Sequence, residues 1–238
     1  MKVLLYSGGM DTWLIDKLWK PDKKIYIDIG GKYNEAEKQR LGNDVEVLPF
    51  PLLGRFEQKD SYVPMRNLYF LMIASHFGDT ICLGATSGDG GADKNIDFLY
   101  SAETTINMLL KDKKVGRKIS VEKQFIKMSK ADLIKKYLKN GGTADEIKEK
   151  SFSCYSPVNN QECGECYPCF RKFALLSYFG AIYTKEQRKK MWKYVEKNII
   201  PTKEQGGYNG TYYTDRGEES LYLIACVERL KKEFSHDS

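Results

Sequence analysis

Val3-Leu4-Leu5-Tyr6-Ser7-Gly8-Gly9-Met10-Asp11-Thr12 runs from an apolar tetrad through a serine-diglycine turn into an Asp-Thr pair. A short apolar run that stops at a glycine turn reads as a buried strand. Two glycines let the backbone turn tightly with no Cβ in the way. The Asp-Thr pair then opens a helix. The N–H groups of such a turn and of the first helical turn point at one spot. Unpaired N–H groups and the helix dipole both favour an anion there. No Gly-Lys-Ser/Thr follows, so this is not the Walker loop that supports phosphoryl transfer. An ordinary strand–turn–helix junction capped by Asp11 or Thr12 would read the same way. On these residues alone a phosphate site and a plain junction both stand.

Strands and helices alternate downstream. Lys24-Ile25-Tyr26-Ile27-Asp28 reads as a second buried strand ending at Gly30-Gly31, and 34–41 as a helix stopped by Gly42. Residues 45–48 form a short strand before a loop opened by Pro49 and Pro51. Residues 66–76 carry apolar side chains at helical spacing, and 80–83 form a strand closed by Gly84. A helix at 102–110, a strand at 119–126 and a helix at 129–139 follow, the last framed by Ser129 and Asp132 in capping-box positions. This alternation predicts an α/β fold with an open, doubly wound parallel sheet and right-handed crossovers. Ligands in such sheets bind beyond the carboxyl ends of the strands. The rule lines up residues 7–12, 28–32 and 84–94 along one edge.

The chain is long enough, at 238 residues, for one large domain with an appendage. We expect a nucleotide-binding domain over 1–145 and a C-terminal region over 146–238. Hydrophobic residues at 42% and charged residues at 29% describe a globular chain rather than a disordered one. No run approaches the roughly 18 apolar residues of a membrane span, and no signal segment precedes the first strand, so a cytoplasmic protein is expected. The net charge of +6 is scattered over helix faces and loop tips. It forms no basic–aromatic stripe, and stable nucleic-acid binding is not expected.

Cys154, Cys163, Cys166 and Cys169 are spaced Cys-x8-Cys-x2-Cys-x2-Cys, among turn-forming residues that include Gly164 and Pro168. Four thiolates so close in sequence can close a tetrahedron around one Zn2+, and a closed four-cysteine site is structural. A redox pair is the competing reading of Cys-x2-Cys. A disulfide framework does not suit a reducing compartment. Cys82 and Cys226 read as buried thiols. Of the two histidines, His76 reads as a surface or cap residue and His236 as part of a polar tail. A histidine-based triad has no support.

Taken in order, residues 7–12, Tyr62-Val63-Pro64-Met65-Arg66-Asn67 and the four cysteines resemble the 7-cyano-7-deazaguanine synthase family. That family belongs to the ATP-pyrophosphatases and their adenine nucleotide alpha hydrolase-like fold. Its loop reads Ser-Gly-Gly-x-Asp-Ser, with Thr12 here keeping the hydroxyl. Its second element reads Phe-Val-Pro-x-Arg-Asn, with Tyr62 here in place of Phe. Its Cys-x8-Cys-Gly-x-Cys-x2-Cys spacing is met with Gly164 in place. A weaker Asp-Tyr-Gly-Gln-Arg/Lys stretch corresponds to Asp28-Ile29-Gly30-Gly31-Lys32, and a Lys-Ala-Glu helix start to Lys130-Ala131-Asp132. The likeness covers residues 2 to about 180. Two departures stand out: the chain between Leu48 and Tyr62 is shorter than the family's insert, and the segment after Cys169 is longer. That segment includes Tyr208-Asn209-Gly210-Thr211-Tyr212-Tyr213, a hairpin or irregular lid, and an amphipathic helix near 218–233.

The resemblance implies that 7-carboxy-7-deazaguanine, ammonia and ATP give a nitrile, with AMP and pyrophosphate released. ATP is the co-substrate, accompanied by Mg2+, and a homodimer is expected. Tyr6, Ser7, Gly8, Gly9, Met10, Asp11, Thr12, Asp28 and Lys32 become the ATP-binding set. Asp11, Arg66 and Lys130 become the catalytic set. Tyr62, Arg66, Asn67, Gly84, Asp89 and Asp93 become the substrate contacts. Within these sets alternatives stay open. Asp11 holds magnesium or caps its helix. Arg66 forks onto a carboxylate or phosphate, or makes a local salt bridge. Asn67 reads a base edge or bonds backbone. Asp89 or Asp93 accepts the adjacent N–H donors of a guanine-like ring, or both sit on a flexible glycine loop. Lys130 reaches a phosphate or decorates a helix. An amide-forming or acyl-transferring variant, a tRNA-modifying relative and a non-catalytic zinc protein are the competing functions.

Overall fold

The computed structural model describes residues 1–238 apart from 32, 60–61, 88–90, 112–115, 155, 160, 202–217 and 236–238. Lys32, Asp89, His236 and the stretch 208–213 therefore lie outside the described residues.

Strands β1 (Lys2–Leu5), β2 (Lys23–Asp28), β3 (Val45–Pro49), β4 (Thr80–Cys82) and β5 (Ser120–Val121) form one sheet in the order β3-β2-β1-β4-β5. Every pairing is parallel, with Val3 opposite both Lys23 and Ile81. The open parallel sheet is the one expected. Val3, Leu4, Ile25 and Ile81 are fully buried, as a strand covered on both faces requires. Helices α1 (Met10–Trp19), α2 (Asn34–Lys38), α3 (Arg66–Ala74) and α4 (Ile96–Leu109) connect successive strands, and α5 (Lys130–Lys139) follows β5. The chain winds outward from β1 to β3, then returns to the other side of β1 for β4 and β5. Strand order therefore reverses between β1 and β4, and a crevice opens at such a switch point.

Local departures from the sequence reading have local causes. The last strand is two residues long rather than spanning 119–126. Glu122 Oε1 accepts the N–H groups of Lys123 (2.9 Å) and Gln124 (2.8 Å), turning the chain out of the ladder into a 3-10 turn at Phe125–Lys127. Helix α4 begins at Ile96, before the expected 102, because the Asn95 side chain caps it by accepting Phe98 N–H at 2.8 Å. Helix α2 ends at Lys38, short of Gly42, in tight turns that bond Arg40 N to Glu37 O and Leu41 N to Lys38 O.

Two compact units result, Met1–Leu133 and Ile134–Ser238, with the boundary inside α5. The second contains α6 (Ala144–Lys150), α7 (Tyr167–Tyr178), α8 (Lys185–Tyr194), continued by one π-helical stretch (Val195–Ile199), and α9 (Glu218–Phe234). Its core joins Phe170, Phe173, Trp192, Leu223 and Leu230 to Cys163 and Cys169. A buried, two-pronged ion pair between Arg171 and Glu219 ties α7 to α9. No described helix is long and apolar enough to cross a membrane.

Candidate functional site

The turn after β1 is built as its glycines dictate. Gly8 takes φ +72°, in the left-handed region that glycine enters freely, and Gly9 is extended before α1. No side chain caps α1. The Thr12 hydroxyl instead donates back to Gly9 O at 3.1 Å and sits 3.4 Å from both Ser7 N and Ser7 Oγ. Thr12 thus braces the turn from inside, and the positive end of the α1 dipole keeps its capacity for an anion. Tyr6 and Met10 are buried. Burial, then Asp16 and Asp44, push the Tyr6 hydroxyl up to about 12. These two residues present backbone rather than side chain to the turn.

The switch point is closed by a near contact that only glycine permits. Gly84, just past β4, has φ +76°, and a Cβ there would come within 2.6 Å of Thr12 Cγ2 and 3.0 Å of Leu5 O. Two residues on, the fully buried Thr86 hydroxyl lies 3.5 Å from Asp11 Oδ2. Lys130 Nζ forms an ion pair with the same carboxylate oxygen. Lys130 is the first residue of α5, whose start is locked by reciprocal bonds. Ser129 N donates to Asp132 Oδ2 at 2.9 Å, and Asp132 N to Ser129 Oγ at 3.1 Å. The segments following β1, β4 and β5 therefore meet at Asp11, two residues past the glycine turn, where its carboxylate pairs with the Lys130 ammonium.

Beyond β2, Asp28 accepts Gly30 N–H at 2.9 Å and pairs with Lys38 at 2.7 Å. Burial alone would raise this carboxyl, but Lys38 and the Gly30 N–H outweigh it and hold it below the ordinary aspartate value. A buried chain lies beside it. Asn34 donates to the Tyr26 hydroxyl at 2.8 Å, and Tyr26 donates to Glu37 Oε2 at 2.7 Å. Burial raises the Glu37 carboxyl, against the opposing pull of Tyr26 and then of Arg66.

At the head of α3, Met65 adopts φ +57°, and the Arg66 guanidinium lies over the Phe70 ring at 6.0 Å. This is a cation–π contact. Asn67 is buried, and its amide donates to Asp93 O at 3.2 Å, holding the 91–94 segment across 26 residues of chain. Tyr62 is half exposed. Thr86 and the Asn34–Tyr26–Glu37 chain were not legible as site residues. A lone buried threonine 75 residues from its carboxylate leaves no spacing signal.

In the second unit the Sγ atoms of Cys154, Cys163, Cys166 and Cys169 all lie within 4.8 Å of one another, with the 163–169 and 154–166 pairs at 4.0 Å. Tetrahedral thiolates at zinc–sulfur distance would stand about 3.8 Å apart. Backbone N–H groups of Ser156 and Cys163 point at Cys154 Sγ, and that of Glu165 at Cys163 Sγ, each at 3.3 Å. Burial pushes Cys163 up to about 11, and the Cys166 neighbour, then burial, raises Cys169 further. A divalent cation is what lets such a cluster ionise, so the donor set fits a metal ion. Cys82 and Cys226 are buried, and His76 is exposed, as expected.

Residues 34–178 match the family model described as queuosine biosynthesis protein QueC. A 7-cyano-7-deazaguanine synthase of Sulfurihydrogenibium sp. is 38% identical over 205 residues, covering 70% of this chain and 90% of the relative. The synthase of Persephonella marina is 37% identical over 216 residues, covering 75% and 92%. That of Citrifermentans bemidjiense is 31% identical over 205 residues, covering 70% and 88%. No solved structure matches the chain. With a family model spanning well over half of the sequence and relatives aligned over most of their length, the chain belongs to the QueC family of queuosine biosynthesis proteins.

Proposed function

We propose that this chain is a 7-cyano-7-deazaguanine synthase, which turns 7-carboxy-7-deazaguanine and ammonia into the nitrile at the expense of ATP. The observation that carries the reading is the Asp11–Lys130 pair at the mouth of the Ser7-Gly8-Gly9 turn. A carboxylate resists ammonia because oxide is its leaving group. Attack of the carboxylate on the α-phosphorus of ATP expels pyrophosphate and gives an acyl adenylate. Ammonia then displaces AMP to form the amide. The amide oxygen attacks a second ATP, and loss of AMP with the amide protons leaves the nitrile. Both activations call for fixed positive charge at the departing pyrophosphate more than for a nucleophilic side chain.

The residue roles follow from this chemistry. The turn and the α1 N-terminus hold the pyrophosphate, with Ser7 and Thr12 lending hydroxyls. Lys130 neutralises charge on the phosphates, and Asp11 keeps its ammonium there between turnovers. Mg2+ would be carried mainly by the phosphate oxygens, and Asp11, at the start of α1, is a carboxylate that could join them. Asp28 and Lys32 border the nucleoside. Arg66, steadied on Phe70, receives the substrate carboxylate in forked geometry. Asn67 fixes the segment from which Asp93 accepts the ring N–H donors, with Tyr62 and Gly84 at the rim.

The four cysteines hold a structural zinc in the C-terminal region, leaving nucleotide chemistry to the sheet domain. When bound, the zinc supplies folding free energy and no open coordination position. We assign the protein to the cytoplasm, in keeping with its free cysteines. The reading includes a homodimer. Light scattering should give twice the chain mass, and a monomer would contradict it. The function itself is tested by mass spectrometry after incubation with 7-carboxy-7-deazaguanine, ammonium and MgATP. Nitrile with AMP is expected. Amide as the final product would reassign the chain to an amide-forming variant, and ADP as sole nucleotide product would overturn the reading.

A further inference from the structure

A lysine holds the cysteine-bearing loop together. Lys172 follows Cys169 by three residues in α7 and is only 2% exposed. An ammonium has three donors, and all three are used. They reach Lys148 O at 3.0 Å and Ser151 O at 2.5 Å, at the end of α6, and Glu162 Oε1 at 2.9 Å. Glu162 Oε1 also accepts Ser153 N–H at 2.5 Å. The network thus leaves α7 at Lys172 and fixes residues 153 and 162, each next in sequence to a member of the cysteine cluster, Cys154 and Cys163.

Stability alone does not explain such a pair, because a buried ion pair is often no more stabilising than apolar residues of the same volume. Its position does: the bonds of the pair end on Ser151, Ser153 and Glu162, beside the cysteines at 154 and 163, as groups that orient metal ligands do. We propose that Lys172, acting with Glu162, is the positioning residue of the metal centre: the pair prearranges the loops that carry the thiolate ligands. This inference rests on the zinc reading above.

The test uses the full chain as wild type, Lys172→Met, Lys172→Arg and Glu162→Ala. Zinc per chain and the rate of zinc transfer to a chromogenic chelator are measured, with circular dichroism to follow the helices. Wild type should carry one zinc. Lys172→Met should release it about 10–100-fold faster, the usual cost of losing an outer-shell partner, with helix content kept. Glu162→Ala should also release faster, and Lys172→Arg, which keeps charge and donors, should recover most of the loss. Release at the wild-type rate from Lys172→Met, or from Glu162→Ala where Lys172→Met is insoluble, would overturn the proposal. A wild-type protein without zinc would instead sink the metal reading on which it stands.

Discussion

Gly84 and Lys130 show how single residues shape the nucleotide end of the sheet. An alanine at 84 would have to hold φ +76° while its Cβ meets Thr12 Cγ2 at 2.6 Å. Gly84→Ala should therefore cost about 1–3 kcal/mol, measured as a lower urea midpoint. Lys130 acts by charge, not packing. Lys130→Met should lower the rate of AMP formation about 10²–10³-fold while zinc content and circular dichroism stay at wild-type values. An unchanged rate would show that the Asp11–Lys130 pair is structural. At this scale the sequence was uneven. The cysteine cluster was legible because its members span only 16 residues. The Asp11–Lys130 pair joins residues 119 apart, so spacing could not show it, and Lys130 entered only through the family resemblance. Arg66 on Phe70 is an i,i+4 contact, but Arg66 also acts on Glu37, 29 residues earlier, which no local pattern reports.

Elements were read well where their signals were local. Ser129 and Asp132 predicted the start of α5, and their reciprocal bonds are there. Ser129→Ala should cost about 1 kcal/mol and, by loosening the helix start under Lys130, slow adenylation more than it lowers the unfolding midpoint. The short β5 and the early α4 were misread because Glu122 and Asn95 compete through side-chain bonds that apolar periodicity does not register. Strand β4 carries a pH signature. Burial pushes the Cys82 thiol from its ordinary 9.0 up to about 12. The folded state therefore holds this proton more tightly than the unfolded chain. The stabilisation is complete below pH 9 and is lost as pH rises toward 12. The urea midpoint should fall between about pH 8 and pH 10.5, and Cys82→Ala should flatten that slope.

At the scale of the whole molecule, each compact unit has a hydrophobic core among its described residues. One joins residues of β1, β2, β4 and α4, and the other is built around α7, α8 and α9 with two of the four clustered cysteines in it. The alternation of strands and helices made the first readable. The second depends on contacts among α7, α8 and α9 that no single periodicity reports. Metal removal should therefore act unevenly. In native buffer with a chelator, iodoacetamide should label the four clustered cysteines and Cys226, whose core includes Cys163 and Cys169. Cys82 should stay protected in the sheet, and its labelling at the same rate would show that the cores open together. The central claim, that one glycine turn activates the same carbon twice by adenylation, has a direct isotopic test. With both carboxylate oxygens of the substrate labelled with oxygen-18, each nitrile should be matched by two AMP molecules, each carrying one labelled oxygen. Label in water or orthophosphate, or recovery of ADP in place of AMP, would contradict it.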